Sequence, residues 1–159
     1  RAPGLDRSFD AQRWGFLPQR AWLDAAEEAM DKEFSGVYDI WGGDIDPRAI
    51  EIARSNAVKA GVEDCVRFEV ADMKDFRRDS QYGQLVTNPP YGERLMDRAE
   101  AEELYRELGR VWQRLPRGWR TLVLSSHTEF ERTFGRPADK KRKLYNGMLK
   151  CDLFMYGKV

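Results

Sequence analysis

Short apolar runs alternate along this chain with longer segments in which apolar residues recur at helical spacing. The runs predict a buried strand at residues 37–45 and further strands at 66–70, 82–87 and 119–125. The longer segments predict helices at residues 18–33, 47–60 and 99–115, with a shorter helix at 129–134. Gly61 is expected to stop the second helix, and the third helix has one apolar face that consists of Leu104, Leu108, Val111, Trp112 and Leu115. Strands that alternate with helices form parallel sheets with right-handed crossovers, so the pattern predicts an α/β fold.

The last part of the chain departs from this alternation. Residues 141–145 and 148–156 have the pattern of two strands, and Asn146-Gly147 between them is a dipeptide typical of a tight primed turn. A hairpin pairs its strands antiparallel. We therefore expect a mostly parallel sheet with an antiparallel C-terminal hairpin at one edge.

Composition narrows the range of functions. With 159 residues, of which 42% are hydrophobic, the chain can bury one substantial core, so we predict a single domain over residues 1–159. The 27 Lys and Arg balance the 27 Asp and Glu, so any nucleic-acid surface must be local. Cys65, Cys151 and His127 have no metal-ligand spacing, and we expect no metal site. His127 follows a predicted strand and could line the mouth of a pocket, although an exposed loop position is more usual there. No apolar run approaches a membrane span of roughly 20 residues, and we expect a cytoplasmic protein.

Acidic residues follow two of the predicted strands. In open parallel sheets, ligands bind beyond the carboxyl ends of the strands. Asp44 ends the first strand, where a carboxylate can accept hydrogen bonds from both hydroxyls of a ribose, and Asp46 before Pro47 is the better helix cap. Asp72 follows the second strand, where it could accept from an adenine amino group while the amide of Met73 donates to the ring. The alternative for Asp72 is an ordinary turn residue.

The run Asn88-Pro89-Pro90-Tyr91 comes directly after the third strand. Its two prolines cannot continue a sheet, and they would hold the Asn88 amide oxygen and the Pro89 carbonyl as a pair of acceptors. Both could accept from one amino group conjugated with an aromatic ring, which would localise its lone pair for attack on an electrophilic methyl group. Tyr91 offers a face on which a flipped base could stack, worth about 1–3 kcal/mol. The alternative is a proline turn with a buried tyrosine.

These motifs resemble those of a known family. Residues 88–95 are similar to the catalytic motif of the THUMP-associated guanine-N2 methyltransferases, which modify large-subunit (23S) ribosomal RNA and have transfer-RNA enzymes as relatives. Residues 43–50 resemble that family's acidic cofactor motif, and residues 71–73 its adenine-contacting motif. The opening residues 2–9 and the closing residues 144–147 are similar as well.

The resemblance implies a Rossmann-like class I methyltransferase with S-adenosylmethionine as methyl donor and S-adenosylhomocysteine as product. It implies that Asp44 binds the cofactor ribose, that Asp72 binds the adenine, and that Asn88-Pro89-Pro90-Tyr91 holds the target base. The residues it assigns to the cofactor are Asp44, Ile45, Asp72, Met73 and Asn88.

The chain departs from the family pattern at one point. The family's first strand and glycine-rich loop are expected immediately before residue 1, whereas the pair Gly42-Gly43 precedes the ribose acid instead. We therefore expect this piece to lack the first strand of its sheet and to be inactive alone. The resemblance also implies that a separate THUMP domain docks the ribosomal RNA.

Other substrates stay open at this stage. An Asn-Pro-Pro-Tyr motif also serves enzymes that methylate transfer-RNA guanine, DNA adenine at N6, or glutamine in release factors, because each target is a planar and poorly nucleophilic nitrogen. A non-catalytic fragment is the other alternative. The charged run at residues 140–143 could contact phosphate, although such runs are more usual on a solvated strand edge.

Overall fold

The computed structural model describes residues 4–5, 7–34, 36–91 and 97–157. The chain forms two compact units, Arg1–Ala71 and Asp72–Val159. A domain is a unit that can fold alone, and two compact units can belong to one domain. The single domain over residues 1–159 therefore stays a prediction.

The first unit contains one βαβ motif and a preceding helix. Its elements are α1 (Gln19–Asp31), β1 (Ile40–Asp44), α2 (Pro47–Lys59) and β2 (Val66–Val70). β1 and β2 pair in parallel, with Ile40 opposite Val66 and Asp44 opposite Val70. The predicted strand–helix–strand order and parallel pairing are therefore confirmed in this unit.

Both ends of α2 follow local sequence signals. The Asp46 side chain accepts a hydrogen bond of 2.9 Å from the Arg48 amide, and Pro47 occupies the first helical turn. The helix ends just before Gly61, whose φ of +62° lies in the left-handed region that favours glycine. The predicted cap and stop are confirmed.

The prediction that residues 37–45 form a buried strand is wrong in length and in burial. The strand covers only Ile40–Asp44, and Ile40 keeps 48% of its surface exposed. Among the described strands β1 pairs only with β2, and a two-stranded sheet buries little of a strand's surface.

The glycine pair in β1 makes room for two aromatic rings. A Cβ on Gly42 would lie 2.8 Å from the ring of Phe68, its partner on β2, and a Cβ on Gly43 would lie 2.3 Å from the ring of Trp41. Both distances are shorter than side chains tolerate, so these glycines permit close packing on the strand.

The second unit is a four-stranded sheet with two helices. Its elements are a 3₁₀ turn (Met73–Asp75), β3 (Gly83–Thr87), α3 (Arg98–Arg114), β4 (Trp119–Ser125), α4 (Phe130–Phe134), β5 (Lys140–Asn146) and β6 (Leu149–Gly157). The strand order is β3-β4-β6-β5, with β3 parallel to β4 and β6 antiparallel to both of its neighbours. The predicted antiparallel hairpin at one edge of the sheet is confirmed, because β5 forms the edge strand and β6 joins it to β4.

The hairpin turn is shifted by one residue from its predicted position. Asn146 pairs with Leu149, so the two loop residues are Gly147 and Met148. Gly147 has a φ of +61°, and a glycine at the first central position is what a type II′ turn requires. A primed turn was predicted, and the pairing register decides which residues form it.

The core of the second unit lies between α3, α4 and one face of the sheet. Leu108, Val111 and Leu115 are buried as predicted from the spacing, while Tyr105 is completely buried and was not singled out. The core cluster consists of Ala101, Tyr105, Leu108, Val123, Phe130, Phe134, Phe154 and Tyr156. Its rings pack closely, with the Phe134 and Tyr156 centroids 4.2 Å apart.

Candidate active site

Asp44 ends β1 as an exposed carboxylate. Its Oδ1 accepts a hydrogen bond of 2.9 Å from the Asp46 amide, and its backbone carbonyl accepts one of 2.9 Å from Ala71. No described residue donates to its second oxygen, Oδ2. One carboxylate oxygen is thus held by a hydrogen bond, and the other is available to a ligand. The neighbouring Ile45 is also exposed.

Asp72 has the turn role that the sequence left open as its alternative. Its Oδ1 accepts from the Lys74 amide at 3.0 Å and caps the 3₁₀ turn, while Oδ2 lies 2.9 Å from the Lys74 ammonium. These hydrogen bonds from Lys74 hold the pKa of Asp72 below its ordinary value. A ligand amine at Asp72 would have to displace an exposed lysine side chain. Met73 packs against the core of the second unit, which leaves its backbone amide as the group that could contact a ligand.

The Asn88-Pro89-Pro90-Tyr91 loop begins where the sequence predicted it. β3 ends at Thr87, Asn88 is exposed and Pro89 is buried. The Tyr91 hydroxyl donates a hydrogen bond to Asn88 Oδ1, which orients the amide. An amide oxygen has two lone pairs, so Asn88 can accept a second hydrogen bond. Residues 92–95 of the motif, with Glu93 and Arg94, lie outside the described residues.

A buried tyrosine supports this loop from α3. The Tyr105 hydroxyl donates a hydrogen bond of 2.6 Å to the Pro90 carbonyl. Burial raises the pKa of Tyr105, so the hydroxyl keeps its proton and remains a donor at neutral pH. Ser125 Oγ, at the end of β4, lies 3.5 Å from the same hydroxyl and accepts from the His127 amide at 3.1 Å. The loop is therefore connected through Tyr105 to the end of β4.

The hairpin supports the loop from the other side. Burial raises the pKa of Tyr91, and a hydrogen bond with Asn146 of the hairpin opposes that shift. The Tyr91 hydroxyl also lies 3.9 Å from the thiol sulfur of Cys151, which is buried on β6. Tyr91 is therefore held by residues of β5 and β6 while it orients Asn88.

His127 is buried, although an exposed loop position was the more usual expectation. Its Nδ1 accepts from the Glu129 amide at 3.1 Å, and its Nε2 lies 3.4 Å from Glu102 on α3. Its ring packs edge-on against Tyr105, with centroids 5.4 Å apart. It belongs to the support beneath the loop rather than to an open surface.

The structure brings Asn88 and Tyr91 into direct contact, and it places Asp44 and Ile45 together at the end of β1. Sequence reasoning missed the supporting side chains Tyr105, Ser125 and Cys151. The sequence carried a weak signal for Ser125 only. This residue ends a predicted strand, and ligands of parallel sheets bind beyond the carboxyl ends of the strands.

The described residues contain neither a candidate metal centre nor a membrane-spanning helix. In residues 4–5, 7–34, 36–91 and 97–157, no group of three His, Cys, Asp or Glu could hold a metal ion. None of the helices in these ranges is long and apolar enough to cross a membrane.

Two parallel strand pairs, with the Asn-Pro-Pro-Tyr loop at the end of β3, place the chain in the α/β class. Residues 1–154 match the family described as RMKL-like, methyltransferase domain, and the chain belongs to that family.

Two curated relatives match nearly the whole chain. YpsC of Bacillus subtilis, whose name marks its RNA methyltransferase activity as inferred, is 38% identical over 98% of this chain. Ribosomal RNA large subunit methyltransferase K/L of Shewanella baltica is 37% identical over 98% of the chain. The chain spans 40% of YpsC and 23% of the K/L protein.

Solved structures confirm the fold. The crystal structure of SMU.472, an inferred methyltransferase, was determined as a complex with SAH. It superimposes on this chain with a TM-score of 0.91 at 40% identity, and the match covers 99% of this chain and 42% of SMU.472. A protein of Listeria monocytogenes described as a predicted N6-adenine-specific DNA methylase gives a TM-score of 0.86 at 44% identity, over 99% and 40% of the two chains. The Rossmann-like α/β class is therefore confirmed.

Proposed function

We propose that the protein is an S-adenosylmethionine-dependent methyltransferase that modifies the exocyclic N2 amine of a guanine in 23S ribosomal RNA. The observation that carries the proposal is the Asn88-Tyr91 loop, whose amide acceptor is oriented by a hydrogen bond and whose backbone is fixed by Tyr105. Family membership and the similarity to the K/L enzyme support the reaction and the RNA substrate.

The loop would act by accepting hydrogen bonds. Asn88 Oδ1 and the Pro89 carbonyl accept from the guanine amine, which draws its protons away from the ring and concentrates its lone pair on nitrogen. Tyr91 stacks on the extruded base. S-adenosylmethionine, when bound, supplies the electrophilic methyl group, and the chain needs no covalent nucleophile. The main contribution of such a site to the rate is to hold the amine in line with the methyl group.

Asp44 and Asp72 are the acids proposed for the cofactor. Asp44 fits a ribose because it is exposed at a strand end with its Oδ2 accepting from no described residue. Asp72 and the Met73 amide are proposed for the adenine, and Ile45 and Asn88 complete the set. Asp72 would exchange its Lys74 partner for the adenine amine.

We expect Asp44→Asn to weaken binding of S-adenosylhomocysteine by about 10- to 100-fold, because charge-assisted hydrogen bonds contribute about 1.5–3 kcal/mol. Asparagine retains Oδ1 for the Asp46 amide, so the local turn should persist. Calorimetry on the full-length protein measures the change. Asp46→Asn is the matched control, since asparagine also caps helices well and affinity should stay within twofold. Equal affinity of Asp44→Asn and the wild type would count against the ribose role.

The substrate is tested by methyl transfer from labelled S-adenosylmethionine to ribosomal RNA, transfer RNA, DNA and release factor, each supplied in unmethylated form. We expect label in large-subunit ribosomal RNA, recovered as N2-methylguanosine after digestion. Transfer only to release factor, or only to DNA, would contradict the RNA proposal.

Adenine N6 in DNA is the second candidate. The description of the Listeria protein favours it, and the acceptor pair at Asn88 and Pro89 would serve an adenine amine equally well. Recovery of N6-methyladenine from the DNA arm would identify this reaction.

Docking of the RNA by a THUMP domain belongs to the same proposal. The K/L relatives are more than four times as long as the matched region, which leaves space in such proteins for further RNA-binding domains.

Tyr105→Phe tests the support of the loop. The substitution retains the ring in the core and leaves the Pro90 carbonyl without its donor, which should cost about 1–3 kcal/mol of stability. We expect kcat to fall about tenfold, while affinity for S-adenosylhomocysteine is unchanged. Single-turnover assays and calorimetry measure the two quantities. Thr133→Val, a control that also removes a hydroxyl beside the same core, should leave kcat within twofold. An unchanged kcat in Tyr105→Phe would show that the loop does not depend on this bond.

A further inference from the structure

The C-terminal hairpin of β5 and β6 extends past the end of β4, the strand beside it. β4 ends at Ser125, opposite Asp152 of β6, whereas β5 and β6 continue to pair as far as Asn146 and Leu149. The pairs beyond Ser125 are Leu144 with Cys151, Tyr145 with Lys150, and Asn146 with Leu149. At about 3.4 Å per residue the strands continue for about 10 Å. We call residues 144–151 the overhang.

The overhang lies at the same edge of the sheet as the Asn88-Tyr91 loop. β3 and β4 are parallel, so Thr87 and Ser125 end at one edge, and β6 begins at that edge because it runs antiparallel to β4. A direct contact supports the proximity, since the Tyr91 hydroxyl lies 3.9 Å from the Cys151 sulfur of the overhang. A nucleotide bound at the loop would therefore have the overhang as a neighbour.

The overhang has exposed aromatic, apolar and cationic side chains, namely those of Tyr145, Met148 and Lys150. Tyr145 is 72% exposed and Met148 is 99% exposed. Tyr145 lies opposite Lys150, so the ring and the ammonium group share one face. Nothing in the described part of the second unit covers these side chains.

Positive charge is concentrated on this hairpin. Residues 140–150 contain five Lys or Arg and no Asp or Glu, in a chain whose total charges balance. Lys141 is neutralised by Glu131 at 2.7 Å, whereas no ion pair between described residues involves Lys143 or Lys150. This is the local basic surface that the balanced composition requires of a nucleic-acid-binding protein.

We propose that the overhang binds the RNA segment that flanks the target nucleotide. Tyr145 stacks on a neighbouring base, and Lys150 contacts a phosphate. Lys143 adjoins the overhang on β5, opposite Asp152, and contacts a second phosphate. An exposed aromatic ring beside cations without an ion-pair partner among the described residues suits single-stranded RNA, in which both bases and phosphates are accessible. The inference rests on the proposed function, because it names the surface that presents the RNA to that site.

The test measures RNA affinity of the full-length protein by fluorescence anisotropy, with a labelled single-stranded RNA as probe. We expect Tyr145→Ala and Lys150→Glu each to weaken binding about tenfold, a stacking or phosphate contact being worth about 1–3 kcal/mol. We also expect the salt dependence to become shallower in Lys150→Glu. Photo-cross-linking should join the RNA to a peptide that contains Tyr145.

Two matched controls lie at the far ends of the strands. Tyr82 is 71% exposed and precedes β3, so Tyr82→Ala removes an equally exposed ring at the opposite edge. Lys140→Glu makes the same charge change as Lys150→Glu at the beginning of β5. Both controls should stay within twofold of the wild type. All four variants should bind S-adenosylhomocysteine as the wild type does, which checks that they are folded.

The outcomes separate the inference from the proposed function. Wild-type affinity in Tyr145→Ala and Lys150→Glu, equal losses in the two controls, or no RNA binding by the wild type would each overturn the role of the overhang. The proposed function is judged separately by methyl transfer of the wild type to ribosomal RNA. If both overhang variants methylate RNA at the wild-type rate, the proposed function stands and the role of the overhang is contradicted.

Discussion

Asn88→Ala is expected to slow methyl transfer by about 100- to 1000-fold, the usual effect of removing one preorganised polar group that acts on the transition state. Asn88 Oδ1 is held by the Tyr91 hydroxyl and is proposed to accept from the target amine. Alanine removes this acceptor and leaves the two prolines that define the backbone. Single-turnover assays on ribosomal RNA with saturating cofactor measure the rate of the chemical step.

Two companion variants make the result specific. Asn56→Ala removes an exposed asparagine from α2 and should leave the rate within twofold. Tyr91→Phe retains the stacking ring but frees the Asn88 amide to rotate, so an intermediate loss of about tenfold is expected. If Asn88→Ala transfers methyl groups at more than half the wild-type rate, the amide does not act on the amine.

The second large effect concerns stability and involves no site residue. A Cβ on Gly109 of α3 would lie 2.1 Å from the carbonyl oxygen of Phe134 on α4, and a backbone atom cannot yield as a flexible side chain can. Replacing glycine by alanine inside a helix normally gains up to about 1 kcal/mol. The overlap reverses the sign, and we expect Gly109→Ala to lower the free energy of unfolding by about 2–3 kcal/mol.

Denaturant-induced unfolding measures this difference. Gly157→Ala is the control in the same unit, because its Cβ would meet Asp139 only at 3.9 Å, an ordinary contact. That variant should stay within about 0.5 kcal/mol of the wild type. A Gly109→Ala protein as stable as the wild type would mean that α3 and α4 separate at little cost.

The parts of the fold that were predicted correctly depend on residues close in sequence. Asp46 and Pro47 begin α2, and Gly61 ends it, because capping and backbone conformation are settled within a turn of helix. The start of the loop at Asn88 follows from the two prolines, which cannot donate to a sheet. The sequence by itself therefore determined the order of the elements and the position of the candidate loop.

The tertiary structure alone decided what surrounds that loop. Tyr105 and Pro90 are 15 positions apart, and Cys151 and Tyr91 are 60 apart, so no local pattern joins them. The place of β6 inside the sheet and the overhang beside Tyr91 depend on which strands pair. Strand pairing is determined by contacts between distant segments, and those contacts exist only after the chain has folded.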